Sequence, residues 1–296
     1  MSGAAFRCGT VAIVGQPNVG KSTLLNALVG QKISITSRRP QTTRQRITGI
    51  STTPLAQLIF VDTPGFQTEY QSTLNRSMNR TISRSLQETD IVLWMLDAAK
   101  LDDSSSALLK SVPSGTPLLI ALNKIDRVSD KRGLLPRLQQ LQEQFHPAAI
   151  IPISAKTGYQ IDVLREALIR ELPEREQIYA NDELTTVASR VLAAEMVREK
   201  LFRTLGAELP YSVAVETEKF EEDGRMYRIH ATILVDKDSQ KAIVIGNKGE
   251  KLKAIGTAAR HDMEKLFGTK VYLELWVKVR QGWAEDRATL KRIGME

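Results

Sequence analysis

The hydrophobic positions of this chain follow two successive patterns. From Val11 to Leu172, short and nearly continuous apolar runs alternate with segments of helical spacing. Such runs predict buried parallel strands, because crossover helices cover both faces of a parallel sheet. The predicted strands are Val11–Val14, Leu58–Val61, Ile91–Leu96, Leu118–Leu122 and Ile150–Ile153, with Ile47–Thr53 as an additional edge strand. We therefore expect an α/β domain with a mainly parallel sheet and helices on both faces.

The pattern changes after a polar, charged stretch that ends at Asp182. The second part reads helix–strand–strand–helix–helix–strand, which predicts a separate α+β domain. Its predicted elements are an amphipathic helix at Leu184–Leu205, strands at Ser212–Lys219 and Arg225–Val235 joined by a turn at Glu221–Gly224, helices at Ser239–Ile245 and up to Phe267, and a strictly alternating strand at Val271–Val279. The expected organisation is a first domain over 1–172, a linker over 173–183 and a second domain over 184–296.

Composition narrows the class of protein. The 296 residues are 42% hydrophobic and 25% charged, which suits a globular chain with a core in each domain. The formal net charge is +7 and the last sixty residues are locally basic, which favours polyanionic partners. Cys8 is the single cysteine, so an intrachain disulfide is excluded. Because no apolar run approaches the roughly 20 residues that span a bilayer, we expect a soluble protein, with peripheral membrane contact left open. The single cysteine fits a reducing compartment, and we expect a cytoplasmic monomer.

The first chemical motif is Gly15-x4-Gly20-Lys21-Ser22, which follows a predicted strand and precedes a predicted helix over Ser22–Val29. In that context the glycines let backbone N–H groups surround phosphates, and the helix N-terminus favours their charge. Lys21 would neutralise the β- and γ-phosphates, and the Ser22 hydroxyl would bind Mg²⁺. The predicted nucleotide contacts in this P-loop are Gly15, Asn18, Val19, Gly20, Lys21, Ser22 and Thr23.

A second motif, DTPG, begins where the strand Leu58–Val61 ends. Asp62 is placed to bind Mg²⁺ through water, and the N–H of Gly65 to reach a γ-phosphate. The polar, basic segment 38–46 offers a threonine that would complete the Mg²⁺ shell. The residues alone leave both Thr42 and Thr43 open for that position.

Two further motifs predict which base is bound. Asn123, Lys124 and Asp126 follow one strand, and Ser154, Ala155 and Lys156 follow another. Guanine presents two adjacent N–H donors that a carboxylate at Asp126 accepts, whereas adenine would leave that carboxylate unpaired. Asn123 would bond another base edge or tie loops together, and the Lys124 stem would lie over the ring. The three residues from Ser154 would offer backbone N–H groups to the base oxygen. The combined prediction is a GTP or GDP site with Mg²⁺.

A separate motif lies between the two predicted helices of the second domain. Gly246-Asn247-Lys248-Gly249 would let a nucleic-acid backbone approach closely while Lys248 meets a phosphate. In this order of elements the motif predicts binding of single-stranded RNA rather than DNA. The candidate RNA-binding residues are Val244, Ile245, Gly246, Asn247, Lys248, Gly249, Lys251 and Lys253. Trp283 would either stack on a base or pack inside the protein.

The segments QTTRQR, DTPGF and VIGNKG resemble the Era family of translation-factor-related GTPases over essentially the whole chain, and the second domain resembles a KH domain of the bacterial type, type II. The resemblance implies a GTPase that binds the 3′ end of 16S ribosomal RNA during assembly of the small ribosomal subunit. It favours Thr43 over Thr42, and it implies a potassium ion at Asn18. The catalytic group would then be Lys21, Asn18, Thr43 and Gly65.

One position departs from many GTPases, since Phe66 stands where a water-orienting glutamine is common. Phenylalanine cannot orient water, so we expect slow hydrolysis unless a cation or a partner supplies stabilising charge. Two alternative functions stay open on this evidence. The chain would be an RNA chaperone with negligible GTPase activity, or a membrane-associated signalling GTPase.

Overall fold

The computed structural model describes residues 5–37, 42–44, 46–63, 82–100, 104–206 and 209–293. Contacts divide them into two compact units, each described by itself below. The first holds the described residues up to 33, from 43 to 63 and from 82 to 186; the second holds 34–37, 42 and those from 187 onward. No helix in these described ranges is long and apolar enough to cross a membrane.

A six-stranded sheet forms the centre of the first unit. Its strands are β1 (Arg7–Gly15), β2 (Ile47–Thr52), β3 (Ala56–Asp62), β4 (Ile91–Asp97), β5 (Leu118–Asn123) and β6 (Ala149–Pro152). They lie in the order β2-β3-β1-β4-β5-β6. All neighbours pair in parallel except β2, which is antiparallel to β3 at the edge. The predicted parallel sheet with an additional edge strand is confirmed.

Helices cover both faces of this sheet. The helices α1 (Lys21–Val29) and α3 (Ile161–Glu171) contact each other and bury Leu24, Leu28 and Leu164 on one face. On the other face, α2 (Leu135–Phe145) and a helical segment over residues 82–87 pack against side chains of β1, β4 and β5. Both faces of the central strands are therefore removed from water, which explains why these strands read as continuous apolar runs.

The register of the parallel strands brings their carboxyl ends to one rim. Ile13 pairs with Asp62, so the P-loop leaves β1 beside the last residue of β3. Asp97 pairs with Asn123, so β4 and β5 also end together. Ligand sites of open α/β sheets lie at such carboxyl ends. The rim holds the start of every nucleotide motif that the sequence predicted.

The stretch predicted as a linker, residues 173–183, is bonded to the sheet of the first unit. The Cys8 N–H donates to the Pro173 carbonyl, with N and O 3.2 Å apart. Gln57 on β3 is fully buried, and its Oε1 accepts the N–H groups of Ile178 and Tyr179 at 3.0 and 2.9 Å. Its Nε2 donates to the Tyr179 carbonyl at 2.8 Å. The buried side-chain amide of Gln57 therefore pairs with backbone N–H and carbonyl groups of Ile178 and Tyr179.

The helix predicted from Leu184 starts later. Helix α4 spans Ser189–Thr204. The Leu184 carbonyl accepts the Ile50 N–H at 2.8 Å, and the Thr185 hydroxyl donates to the Thr48 carbonyl at 2.5 Å, so these residues extend the edge at β2 instead. The expected amphipathic character is also wrong, because every residue of α4 from Leu192 to Phe202 is buried.

The second unit contains a mixed three-stranded sheet with one antiparallel and one parallel strand pair. Its elements after α4 are β7 (Val213–Asp223), β8 (Met226–Val235), α5 (Asp238–Ile245), α6 (Glu250–Phe267), β9 (Lys270–Val279) and α7 (Arg287–Arg292). The order is β7-β8-β9, with β8 and β9 parallel. One face of the sheet packs on α4 and α6 through Val213, Ile229, Ile255 and Val271. This arrangement confirms the predicted α+β domain.

The turn between β7 and β8 is shorter than predicted. Asp223 pairs with Met226, so Gly224 and Arg225 alone form the loop and the acidic residues before them belong to β7. Gly224 has φ of +62°, which suits a two-residue hairpin turn. The sequence misled the prediction because the cluster ends in Asp223 and Gly224, and both residue types are common in turns.

The role of Gln57 can be tested by Gln57→Leu. Leucine fits an apolar strand but leaves the Ile178 and Tyr179 N–H groups without their acceptor, so we expect a loss of about 2–4 kcal/mol of unfolding free energy. Urea denaturation measures the loss, and amide exchange should quicken at residues 178–179. Gln144→Leu, at an exposed side chain of α2, is the matched control, because Gln177 donates to the Tyr179 carbonyl and belongs to the same contact. Equal stability of Gln57→Leu and the parent would contradict the role assigned to this amide.

Candidate functional site

The P-loop requires glycine at two positions for different steric reasons. A Cβ on Gly15 would lie 2.5 Å from the Met95 carbonyl oxygen, and one on Gly20 would overlap the Asn123 side-chain amide. Their φ angles are +148° and +108°, which favour glycine as well. The loop therefore runs tightly between β1 and α1, with its backbone against the ends of β4 and β5.

Lys21 opens α1 and is almost completely buried, with 6% of its surface exposed. Its Nζ donates to the carbonyl oxygens of Gly15 and Gln16 at 3.0 and 2.9 Å. Burial lowers the pKa of Lys21 to about 8, although the nearby Asp62 carboxylate opposes this shift. A buried ammonium group whose proton is weakly held would be strongly stabilised by a phosphate.

Three oxygen-bearing side chains meet beside Lys21. The Ser22 hydroxyl donates to Asp62 Oδ2 at 2.7 Å, and it lies 2.8 Å from the Thr43 hydroxyl oxygen. Thr43 Oγ1 is itself 3.4 Å from Asp62 Oδ2. Two hydroxyls and a carboxylate are oxygen ligands of the kind that Mg²⁺ prefers, so these residues fit that ion.

The same geometry distinguishes Thr42 from Thr43, between which the sequence alone did not decide for the Mg²⁺ shell. The Thr42 hydroxyl oxygen lies 2.7 Å from that of Ser37, away from the cluster, whereas Thr43 belongs to it. The geometry therefore favours Thr43. Gly65 and Phe66, which the sequence connected with the γ-phosphate and with water, lie outside the described residues.

Asn123 ties three loops together at the other end of the rim. Its Nδ2 donates to the Val19 carbonyl at 2.8 Å, and its Oδ1 accepts the Ala155 N–H at 2.9 Å. Of the two roles considered for Asn123, the geometry supports loop tying. The sequence predicted that backbone N–H groups of Ser154, Ala155 and Lys156 donate to the base oxygen. The Ala155 N–H donates to Asn123 instead, and the Ser154 N–H donates to the Tyr159 carbonyl.

Asp126 is held as a carboxylate on the same rim. The Ser154 hydroxyl donates to its Oδ1 at 2.6 Å. This hydrogen bond is the main cause that lowers the pKa of Asp126 below its ordinary value. Asp126 is also exposed, so an ionised, oriented acceptor faces the side from which a base would arrive.

Asp97 is a site residue that the sequence reasoning missed. It ends β4, and its Oδ2 lies 2.6 Å from Lys124 Nζ, which also donates to the Asn18 carbonyl at 2.7 Å. Lys124 therefore connects the base motif to the P-loop. The signal was present, since an acidic residue at the carboxyl end of a buried strand is the pattern that identified Asp62. A cavity opens at this point, lined in part by Asn18, Met95 and Asp97.

The loop 246–249 connects α5 and α6 in the second unit. Gly246 has φ of +73° and ψ of −176°, and a Cβ there would lie 2.6 Å from the Lys251 Cβ. Gly249 has φ of +82° at the start of α6. Asn247 and Lys248 are exposed between them. The loop thus presents backbone and one ammonium group at a helix N-terminus, which suits contact with a phosphate chain.

The candidate RNA residues around this loop differ in exposure. Val244 is fully buried in the core of the unit, so its side chain supports the loop, whereas Lys253 is exposed and Ile245 and Lys251 are half-buried. The sequence reasoning missed Ile243, which is 47% exposed on the same helix. Its signal was the apolar run Ala242–Ile245, which is too long for one buried helix face.

Trp283 belongs to the protein interior. It is 2% exposed, and its indole N–H donates to the Ser212 carbonyl at 3.1 Å. Of the two roles considered for this side chain, packing is the one that the structure supports.

The fold and these two sites together define a P-loop nucleotide-binding domain followed by a KH domain. Family models agree, one described as a 50S ribosome-binding GTPase over residues 10–124 and the other as a KH domain over residues 208–284. The chain is 51% identical to GTPase Era of Pseudomonas fluorescens over 98% of this chain and 97% of that protein. It is 49% identical to GTPase Era of Nitrosomonas eutropha over the full length of both.

Solved structures give the same result. A crystal structure of a point variant of Aquifex aeolicus Era bound to GDP·AlF4⁻ matches with a TM-score of 0.93 and 37% identity, covering 98% of this chain and 99% of that one. Era in complex with MgGDPNP and nucleotides 1506–1542 of 16S ribosomal RNA matches with the same TM-score, 38% identity and the same coverage. This chain belongs to the GTPase Era family.

Proposed function

We propose that this chain binds GTP with Mg²⁺, hydrolyses it to GDP and phosphate, and binds single-stranded 16S ribosomal RNA to assist assembly of the small ribosomal subunit. The observation that carries the nucleotide part is the single rim that holds the buried Lys21, the oxygen cluster at Ser22 and the ionised Asp126. Family membership over the full chain supports the coupling of both activities in one protein.

At the phosphate end, the P-loop backbone and Lys21 hold the β- and γ-phosphates. Ser22 and Thr43 would hold Mg²⁺ directly and Asp62 through water, and the ion would neutralise charge that develops on the phosphate oxygens. Water attacks the γ-phosphorus in line, so the protein needs no covalent intermediate. The relative from Aquifex aeolicus that binds GDP·AlF4⁻, an analogue of the phosphoryl group in transfer, supports hydrolysis over mere binding.

At the base end, Asp126 accepts the two adjacent N–H groups of guanine. The Ser154 hydroxyl donates to this carboxylate, which favours its ionised form and fixes its orientation. The stem of Lys124 lies along the ring while its Nζ stays bound to Asp97 and the Asn18 carbonyl. The Lys156 N–H is the backbone donor that we assign to the base oxygen.

The RNA part is supported by the solved relative with 16S ribosomal RNA nucleotides. The loop 246–249 would clamp the RNA backbone, with Lys248 on a phosphate and the exposed Ile243 against a base. The name of the first family model refers to the 50S subunit, but 16S ribosomal RNA belongs to the small subunit, and the full-length relatives determine our choice. This RNA partner places the proposed activity in the cytoplasm, with peripheral contact at the inner membrane surface proposed in addition.

The two halves of the proposal can be tested separately. Gly246→Asp adds a negative charge and a side chain that meets Lys251, so RNA affinity should fall at least tenfold while GTP affinity stays at the parent value. Lys21→Ala should show the reverse pattern. Gly268→Asp is the matched control, since that glycine lies at the far end of α6 with open space around it. If Gly246→Asp binds a 16S 3′-end oligonucleotide as the parent does, the assigned RNA site is wrong.

The pKa of Lys21 predicts a pH dependence of nucleotide binding. Phosphate binds the ammonium form and raises the pKa above about 8, so affinity falls as pH rises through that value. Between pH 7 and 9 we expect about a tenfold decrease in GTP affinity by calorimetry, with proton uptake on binding. Lys21→Arg keeps its charge and should show a flat profile over the same range. A parent affinity that does not change with pH would contradict the assignment.

Asn18 carries the proposed potassium site of the GTPase reaction. A cation there would supply the stabilising charge that Phe66 cannot. Turnover should therefore be faster in KCl than in NaCl at matched ionic strength. Equal rates in the two salts would remove potassium from the mechanism.

A further inference from the structure

Helix α4 of the second unit buries an unusual number of charged side chains. Glu195, Arg198, Glu199 and Lys200 are each less than 10% exposed. Burying a charge is costly unless a partner and hydrogen bonds compensate, and apolar residues of similar volume stabilise such positions at least as well. A helix that only completed the core would therefore not need them.

Arg198 is the most constrained of the four. Its Nε and Nη2 donate to the two carboxylate oxygens of Glu195 at 2.7 and 2.6 Å, which fixes the guanidinium plane. Nη2 also donates to the backbone carbonyl of Thr42. A fixed, planar, permanently charged donor gives this carbonyl a defined direction.

The same helix also binds the backbone at Thr36, six positions before Thr42 in sequence. Glu199 is completely buried, and its Oε1 accepts the Thr36 N–H at 3.1 Å and Arg203 Nη2 at 2.8 Å. Residues 34–37 and 42 therefore group with the second unit, although they lie between two elements of the first unit in sequence.

The residue after Thr42 belongs to the proposed Mg²⁺ site. The Thr43 hydroxyl oxygen is 2.8 Å from that of Ser22. Thr42 and Thr43 share one planar peptide, so fixing the Thr42 carbonyl fixes the plane from which Thr43 starts. The contact made by Arg198 therefore lies one peptide unit from Thr43.

We propose that Arg198, held by Glu195, is a positioning residue for Thr43 and so sets the Mg²⁺ dependence of GTP hydrolysis from a helix of the RNA-binding unit. This inference rests on the proposed role of Thr43 at Mg²⁺. Arg198 is not among the residues assigned to the nucleotide or to Mg²⁺; it would act through the Thr42 carbonyl. Its loss should affect the GTP state, in which Thr43 would be a ligand, more than the binding of GDP.

The test compares Arg198→Met with Arg190→Met in the full-length chain. Arg190 lies on the same helix and is exposed, and its Nη2 donates to the Thr217 carbonyl within the second unit, so it controls for loss of an arginine–carbonyl hydrogen bond made by this helix. GTP turnover is measured across a Mg²⁺ titration, and GDP affinity with a fluorescent GDP analogue. We expect Arg198→Met to raise the half-saturating Mg²⁺ concentration about tenfold with unchanged GDP affinity, and Arg190→Met to match the parent.

Arg198→Lys tests whether a folding defect, rather than loss of positioning, explains the effect of Arg198→Met. Lysine keeps the buried charge beside Glu195 but lacks the second arm of the fork, so the Mg²⁺ requirement should still rise. Parent-like Mg²⁺ dependence in both Arg198 variants, or an equal loss of GTP and GDP binding, would overturn the positioning role.

Thr43→Ala separates this inference from the proposed function. Alone it should raise the Mg²⁺ requirement, and adding Arg198→Met should raise it no further, because both changes remove one interaction. If Thr43→Ala raises the requirement and Arg198→Met does not, or if their effects add, the inference fails and the function stands. If Thr43→Ala has no effect, the metal role of Thr43 fails and the inference falls with it.

Discussion

The parallel pairing of β1 between β3 and β4 is the constraint on which the nucleotide site depends. It places the last residue of β3, Asp62, opposite Ile13, two residues before Gly15 where the P-loop leaves β1. The pairing of β4 with β5 then aligns Asp97 with Asn123. Because parallel strands end at the same side of a sheet, residues far apart in sequence form one site without a further device. A change of register at β1 would separate the metal ligands from the P-loop.

Side-chain hydrogen bonds refine what the sheet brings together. Asn123 joins the P-loop to the loop after β6, and Lys124 joins it to β4 through Asp97. Ser154 orients Asp126. Each of these groups is held by hydrogen bonds to other protein atoms, so the fold itself fixes its orientation in the site. Such preorganisation lowers the entropy that binding would otherwise cost.

Much of this was predictable from sequence, and the parts that were not share a physical reason. Strand pattern and motif spacing predicted the sheet, the P-loop and the base-binding loops, because local periodicity and strand ends carry that information. Gln57, Asp97 and the buried charges of α4 were not predicted. Gln57, Arg198 and Glu199 bond to residues more than 100 positions away, and a single sequence does not show which distant residues meet. Asp97 differs, because its place at the end of a buried strand is the same sequence signal as that of Asp62. The late start of α4 has the same origin, since hydrogen bonds from Ile50 and Thr185 compete with helix formation.

The most direct test of the account is calorimetry of the full-length chain with GTP and with ATP in the presence of Mg²⁺. The convergence of Lys21, Ser22 and Asp126 on one rim predicts tight binding of GTP, and a preference over ATP on the order of 10⁴, because adenine would offer the Asp126 carboxylate neither of the two N–H groups that guanine donates. Equal affinity for the two nucleotides would contradict the role of Asp126. Binding of neither would contradict the site itself.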